Sequence, residues 1–165
     1  MHLFVPSLKP FQELYISKLR DLYNGELQLL EALPKMTDAA TSAALQTIFG
    51  LHLEETRGHV RRLEQIFHAM QEEPAREICP AMQVMISESE DRMKAGSDAA
   101  LAASAQQIEQ YEIAEYGITR ALALRLGEKV PALLLHYSMN EEDATDKKLF
   151  RFAETAVELP IQTTG

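Results

Sequence analysis

The stretch Leu22-Tyr-Asn-Gly-Glu26-Leu-Gln-Leu-Leu30-Glu-Ala-Leu33 decides the fold of this chain. Its leucines recur at the three- and four-residue spacing of an amphipathic α-helix. Glu26 interrupts the apolar side of this helix near its middle. A helix that is apolar on one side buries that side against other elements, so the carboxylate of Glu26 is expected inside the core.

The same periodicity recurs along the chain and predicts three further long helices. The four helices are predicted at about residues 10–40, 43–71, 99–126 and 131–157. Pro34 falls inside the first of them, where it either kinks the helix or ends it near Leu33 so that a second piece restarts.

The connections between the helices predict how they are arranged. Two are short, whereas residues 74–97 are too long for a tight turn and carry a short amphipathic helix at about 82–93. Bundles with one long crossover are the ferritin-like arrangement. The expected fold is therefore all-α, a ferritin-like four-helix bundle with a long crossover carrying a short extra helix, in a single domain over residues 1–165.

Composition excludes several classes of partner. The formal net charge of −9 argues against binding to nucleic acid or to anionic membrane surfaces. No apolar run is long enough to span a membrane, and the start of the chain is too short and interrupted for a signal peptide. Cys79 is the single cysteine, so no intrachain disulfide forms, and we expect a cytoplasmic protein.

Acidic residues interrupt the apolar side of all four long helices near their midpoints. The midpoints of packed helices of equal length lie at one level, so these side chains are expected to form one layer in the core. The carboxylates of this layer are Glu26, Glu55, Glu109, Glu112 and Glu142.

The spacing of further residues brings more donors to the same layer. Glu109 and Glu112 are three residues apart and can face one point. His59 follows Glu55 by four residues, and Asp146 follows Glu142 by four. His59 and Asp146 are therefore additional candidate ligands.

A buried layer of carboxylates needs a compensating charge, because desolvation costs several kcal/mol per ion and like charges repel. No Lys or Arg falls in the predicted layer. Hard carboxylate oxygens combined with a few imidazoles suit iron or manganese. A metal site is the favoured interpretation, and the alternative is a metal-free acidic layer that holds water and hydrogen bonds.

At these residues the chain resembles the YciE/YciF family of bacterial ferritin-like proteins. The resemblance covers about residues 10–155 and includes His52-Leu-Glu-Glu-Thr56, Ala105-Gln-Gln-Ile-Glu109-Gln-Tyr-Glu112 and Glu141-Glu-Asp-Ala-Thr-Asp-Lys-Lys-Leu149. It implies a carboxylate dimetal centre, a homodimer and a role in bacterial stress. The chain departs from the usual Glu-x-x-His pairs of such centres at Gly58 and Thr145.

Two functions remain open on the sequence. In the first, two iron ions (or manganese) lie between the helices, with Glu55 and Glu142 as bridges, and the protein has ferroxidase or peroxide-scavenging activity. In the second, the protein binds metal poorly and acts in stress through self-association or a partner. The missing Glu-x-x-His pairs motivate the second hypothesis.

Overall fold

Five α-helices make up most of residues 8–158, the part of the chain that the computed structural model describes. They are α1 Lys9–Ala39, α2 Ala43–Met70, α3 Pro80–Ala95, α4 Asp98–Leu126 and α5 Lys129–Glu158. No strand occurs among these residues, and the all-α prediction is confirmed. Residues 1–7, which bear on the signal-peptide prediction, lie outside this range.

The first helix runs through Pro34 without a break. The proline removes one backbone hydrogen bond, but Leu29, Leu33 and Met36 are buried on both sides of it and hold the helix in place. The alternative that the helix ends near Leu33 is therefore wrong. At the other end of the bundle, Gly127 adopts a φ of 82° and ends α4, a conformation that glycine adopts without strain.

The crossover is attached to α1 by side-chain hydrogen bonds. The Asn24 side chain donates to the Ala75 carbonyl (3.0 Å) and accepts from the Glu77 N–H (2.8 Å). Gln28 accepts from the N–H of Cys79 at 2.8 Å, directly before α3 begins. The short helix α3 then packs on α1 and α4. It begins two residues before the predicted start, because Pro80 is well suited to the first helical position.

The four long helices form the bundle. Helices α1 and α2 pack as one pair and α4 and α5 as the other, and the pairs meet through α2 with α5 and α1 with α4. Each long helix spans about 40–45 Å at 1.5 Å per residue. None of the described helices is sufficiently long and apolar to cross a membrane.

Two apolar clusters fill the bundle and leave a polar layer between them. One cluster includes Tyr15, Leu19, Leu63 and Leu135, and the other includes residues such as Leu33. Along every long helix, a stretch with buried polar residues separates the residues of the two clusters. This polar layer lies where the sequence predicts it, at the middle of the helices.

Candidate metal centre

The polar layer contains four carboxylates that are almost completely removed from solvent. Glu26 comes from α1, Glu109 and Glu112 from α4, and Glu142 from α5, and none is more than 2% exposed. Two histidines of α2, His52 and His59, are equally buried beside them. All four long helices therefore contribute ionisable groups to one level of the core.

These side chains form two groups that could each hold a cation. One consists of His52, Glu109, Glu112 and Glu142, and the other of Glu26, His59 and Glu142. Within each group the donor atoms lie within 4.8 Å of one another. Glu142 belongs to both.

Glu142 directs one oxygen toward each group. Its Oε1 lies 2.8 Å from Nδ1 of His59, and its Oε2 lies 3.7 Å from Nε2 of His52. His59 Nδ1 is also 3.1 Å from Oε1 of Glu26, and His52 Nε2 is 3.2 Å from Oε1 of Glu109. One carboxylate of α5 therefore faces both donor groups, with a different oxygen toward each.

Many oxygen and nitrogen atoms of these buried side chains lack a hydrogen-bond partner. They include both oxygens of Glu142, one oxygen each of Glu26, Glu109 and Glu112, His59 Nδ1 and both nitrogens of His52. Some of these atoms lie at ion-pair distance from one another, as His59 Nδ1 and Glu142 Oε1 do at 2.8 Å, but buried polar atoms are normally hydrogen-bonded, so the cluster needs an explanation. The donor set of carboxylates and imidazoles fits iron or manganese, which would satisfy these atoms.

Protons offset part of the carboxylate charge in the layer. Burial raises the pKa of Glu109 to about 8 although His52 opposes the rise. Burial and the negative charge of Glu142 raise the pKa of Glu112 well above its usual value. Burial also disfavours the charge on Glu142, but His52 and His59 outweigh it and lower its pKa to about 2. Burial alone would lower the pKa of both imidazoles. The neighbouring carboxylates outweigh this effect and raise the pKa of His52 and His59 well above the usual value.

His59 is oriented by a chain of hydrogen bonds that leads to the surface. Its Nε2 lies 2.9 Å from Glu141, which accepts bonds of 2.6 and 2.9 Å from Arg62. Burial alone would raise the pKa of Glu141. The hydrogen bonds from His59 and Arg62 outweigh this effect and lower the pKa to about 2. An ionised carboxylate can only accept, so His59 donates from Nε2 and directs Nδ1 into the layer.

Glu55 lies behind His52 and not among the candidate ligands. Its Oε2 is 3.5 Å from His52 Nδ1 and accepts a 3.0 Å hydrogen bond from Thr145. Its other oxygen is 3.7 Å from Nζ of Lys148, and the side chain is 27% exposed. Carboxylates that face the outer nitrogen of a metal-binding histidine commonly orient the ring. The structure thus places Glu55 at the rim and outside both donor groups, whereas the sequence analysis predicted it as a bridging ligand.

Asp146 is also outside both groups. Its Oδ2 accepts a 2.7 Å bond from Gln110 between α4 and α5, and its Oδ1 has no partner. Of the predicted ligands, the structure brings together Glu26, His59, Glu109, Glu112 and Glu142.

His52 is the donor that the predicted set lacks. The signal that identifies it is its position seven residues before His59, which places both imidazoles on one face of α2. An inward Glu55 would place Ile48, seven residues earlier, on the same inward face, whereas the structure buries Phe49 and leaves Ile48 only partly buried. The inward face is therefore one residue further along the helix.

Tyr116 closes the layer next to Glu26. Its hydroxyl donates a hydrogen bond to Oε1 of Glu26, and its ring packs edge-on against His59 with ring centroids 5.9 Å apart. Burial and the charge of Glu26 raise the pKa of Tyr116 well above its usual value. The tyrosine thus remains a neutral donor that fixes the carboxylate.

The chain is similar to known bacterial proteins in both sequence and structure. Residues 10–161 match the family described as "Domain of unknown function (DUF892)". Protein YciF of Escherichia coli strain K12 is 37% identical over 149 residues, 87% of this chain and 90% of YciF. The crystal structure of that protein, described as a stress protein, matches with a TM-score of 0.86 over 91% of this chain and 98% of YciF. YcfI of Rhodopseudomonas palustris matches at 36% identity with a TM-score of 0.81, covering 90% and 98% of the two chains.

Proposed function

This chain belongs to the DUF892 family, and we propose that it is a dimetal-carboxylate protein that binds two iron or manganese ions in its core and has ferroxidase or peroxide-scavenging activity. The observation that carries the proposal is the pair of buried donor groups that share Glu142. The resemblance to the YciE/YciF family is confirmed by the match to YciF.

The donor groups differ in the number of ligands they offer. The group around His52 supplies three carboxylates and one imidazole, whereas the group around Glu26 supplies two carboxylates and one imidazole. The second group therefore leaves more of a cation's coordination positions free. Bound iron would supply redox chemistry, in which dioxygen or peroxide oxidises Fe(II) to Fe(III).

The surrounding residues prepare the layer for this chemistry. Glu142 holds the two positions together, and Glu141 and Glu55 hold the imidazoles in place. The apolar clusters above and below exclude water, which strengthens the electrostatic attraction between the carboxylates and a cation. Removal of Fe(II) or of peroxide is chemistry that fits a role in stress, and the E. coli relative is described as a stress protein.

Metal stoichiometry in matched variants tests the proposal. We expect metal-stripped protein to take up about two irons per chain from anaerobic Fe(II), as in other bundles with such carboxylate sets. Glu142→Gln removes the shared charge at nearly constant volume and should lose at least one of the two. Asp143→Asn makes the same change at the next residue, where the carboxylate pairs with Lys147 on the surface, and should bind as the wild type does.

Elemental analysis after desalting gives the metal count, and admission of air then gives the rate of Fe(II) oxidation. Wild-type protein that holds no stoichiometric iron or manganese would contradict the proposal. Equal metal content in Glu142→Gln and wild type would contradict the role of Glu142.

Self-association is the second candidate function, and it can coexist with the first. Helices α4 and α5 expose several large apolar side chains, and we name this set the outer α4–α5 face. They are Ile118, Leu124, Val130, Leu133 and Tyr137. Exposed apolar patches commonly mark interaction surfaces. A homodimer formed through this face is the arrangement that we propose.

A further inference from the structure

Thr56 has a buried hydroxyl without a hydrogen-bond partner. The side chain is 0% exposed, and Oγ1 bonds to nothing in the described part of the chain. The other six threonines of residues 8–158 all use their hydroxyls. Those of Thr37, Thr47, Thr119 and Thr155 donate to the carbonyl four residues earlier, and those of Thr41 and Thr145 donate to Asp98 and Glu55.

The position of Thr56 explains the difference. It lies four residues after His52 and three before His59, on the inward face of α2. At about 1.5 Å per residue, its Cα lies between those of the two histidines along the helix axis. The two rings are 6.4 Å apart. The threonine therefore lies next to both donor groups, at the level of the space between them.

Free hydrogen-bond donors are scarce in this layer. Carboxylates that hold a cation are ionised and can only accept, and the inward nitrogens of the histidines face the carboxylate oxygens. Tyr116 already donates to Glu26, and Thr145 donates to Glu55. A small molecule that enters the layer would find the hydroxyl of Thr56 uncommitted.

We propose that Thr56 is the hydrogen-bond donor to a small anionic or peroxide-like ligand that binds between the two cation positions. The hydroxyl thereby orients the ligand and stabilises its negative charge. A valine would fill the same volume without this bond, so packing alone does not require a hydroxyl. The inference rests on the proposed metal centre and adds to it the site where the co-substrate binds.

Azide binding to the cobalt-loaded protein tests this role without any redox turnover. Azide is a small anion that accepts hydrogen bonds, and Co(II) reports its binding through visible absorption. Thr56→Val should bind cobalt as the wild type does but azide about tenfold more weakly, the change expected for one lost hydrogen bond. Thr56→Ser keeps the hydroxyl and should stay within about twofold of wild type.

Thr119→Val is the matched control, because Thr119 is equally buried but donates to the carbonyl of Glu115. It should leave azide affinity unchanged. Equal azide affinity in wild type and Thr56→Val, both with full cobalt, would overturn the inference alone. Loss of cobalt from Thr56→Val but not from Thr56→Ser would overturn it too, because the hydroxyl would then serve the metal ligands. Wild-type protein that takes up no cobalt, iron or manganese would overturn both the inference and the proposed function.

Discussion

His59 is held from opposite sides by two carboxylates with different tasks. Glu142 faces its Nδ1 inside the layer, and Glu141 faces its Nε2 at the rim. The two glutamates are adjacent in sequence, so α5 directs them to different sides of the same ring. Arg62 and Ser138 then link this contact to the α2–α5 interface.

Removal of Glu141 should weaken metal binding without unfolding the protein. Glu141→Ala leaves His59 free to rotate, and the loss of such a supporting carboxylate typically costs about 10–100-fold in metal affinity. Glu141→Gln keeps an acceptor oxygen and should have a smaller effect. Titration with Mn(II) measures the affinity of each variant.

Glu154→Ala is the control for this experiment, because Glu154 lies exposed on the same helix. Its metal affinity should equal that of the wild type. If Glu141→Ala also binds as the wild type does, then Glu141 contributes only to the surface ion pair with Arg62.

At the scale of single helices, the start of α2 is stabilised by a residue of α4. Asp98 accepts hydrogen bonds from the N–H of Thr41 at 2.9 Å and from the N–H of Ser42 at 2.6 Å. Ser42 itself makes no capping bond with its side chain. Asp98 is the first residue of α4, so one carboxylate joins the beginnings of two helices.

Asp98→Ala should therefore destabilise the fold by about 1–2 kcal/mol, the usual cost of losing a capping interaction. Burial raises the pKa of Asp98, but the hydrogen bonds from Thr41 and Ser42 together outweigh this effect and lower the pKa below the ordinary value of 3.8. The stabilisation is thus present above about pH 4 and disappears as the pH falls through the lower folded-state pKa.

Urea denaturation of wild type and Asp98→Ala at pH 7 and pH 3 measures both effects. The difference in unfolding free energy should shrink at pH 3. Asp38→Ala is a suitable control, since its side chain has no such role in joining α2 and α4. A constant difference at both pH values would show that the charge of Asp98 is unimportant.

The sequence did not specify which residues of α2 face the interior, because this depends on the orientation of the helix about its own axis. Glu55 and Thr56 are neighbours, yet one faces the rim and the other faces the interior. Successive residues of a helix are about 100° apart, so an error of one residue exchanges a ligand for its neighbour. Glu26 and Glu142 were predicted correctly as inward, because apolar residues on both sides fix the buried face of their helices.

At the scale of the whole molecule, charge determines which surface can meet a second copy. Each chain carries a formal net charge of −9, so two copies repel one another over most of their surfaces. The outer α4–α5 face includes turns without Asp, Glu, Lys or Arg, such as those of Leu133 and Tyr137. An isologous contact there would bury apolar side chains with little repulsion.

We expect the wild-type protein to sediment with about twice the mass of one chain, as a twofold dimer requires. Leu133→Glu with Tyr137→Glu places carboxylates in the contact and should shift the mass to that of a monomer. Analytical ultracentrifugation measures the change. Val84→Glu introduces the same charge on α3, at an equally exposed apolar position, and should remain dimeric. A wild-type monomer would contradict this arrangement.

The sequence by itself determined the helices and the level of the polar layer. Helical periodicity shows which residues share a face, and the midpoints of long helices meet when the helices pack. The tertiary structure alone decided which side chains contact one another within that layer. It selected His52 over Glu55, set Glu141 and Arg62 behind His59, and left the hydroxyl of Thr56 free. These choices depend on the rotation of each helix and on contacts between residues distant in sequence, and the packing of all four helices together fixes both.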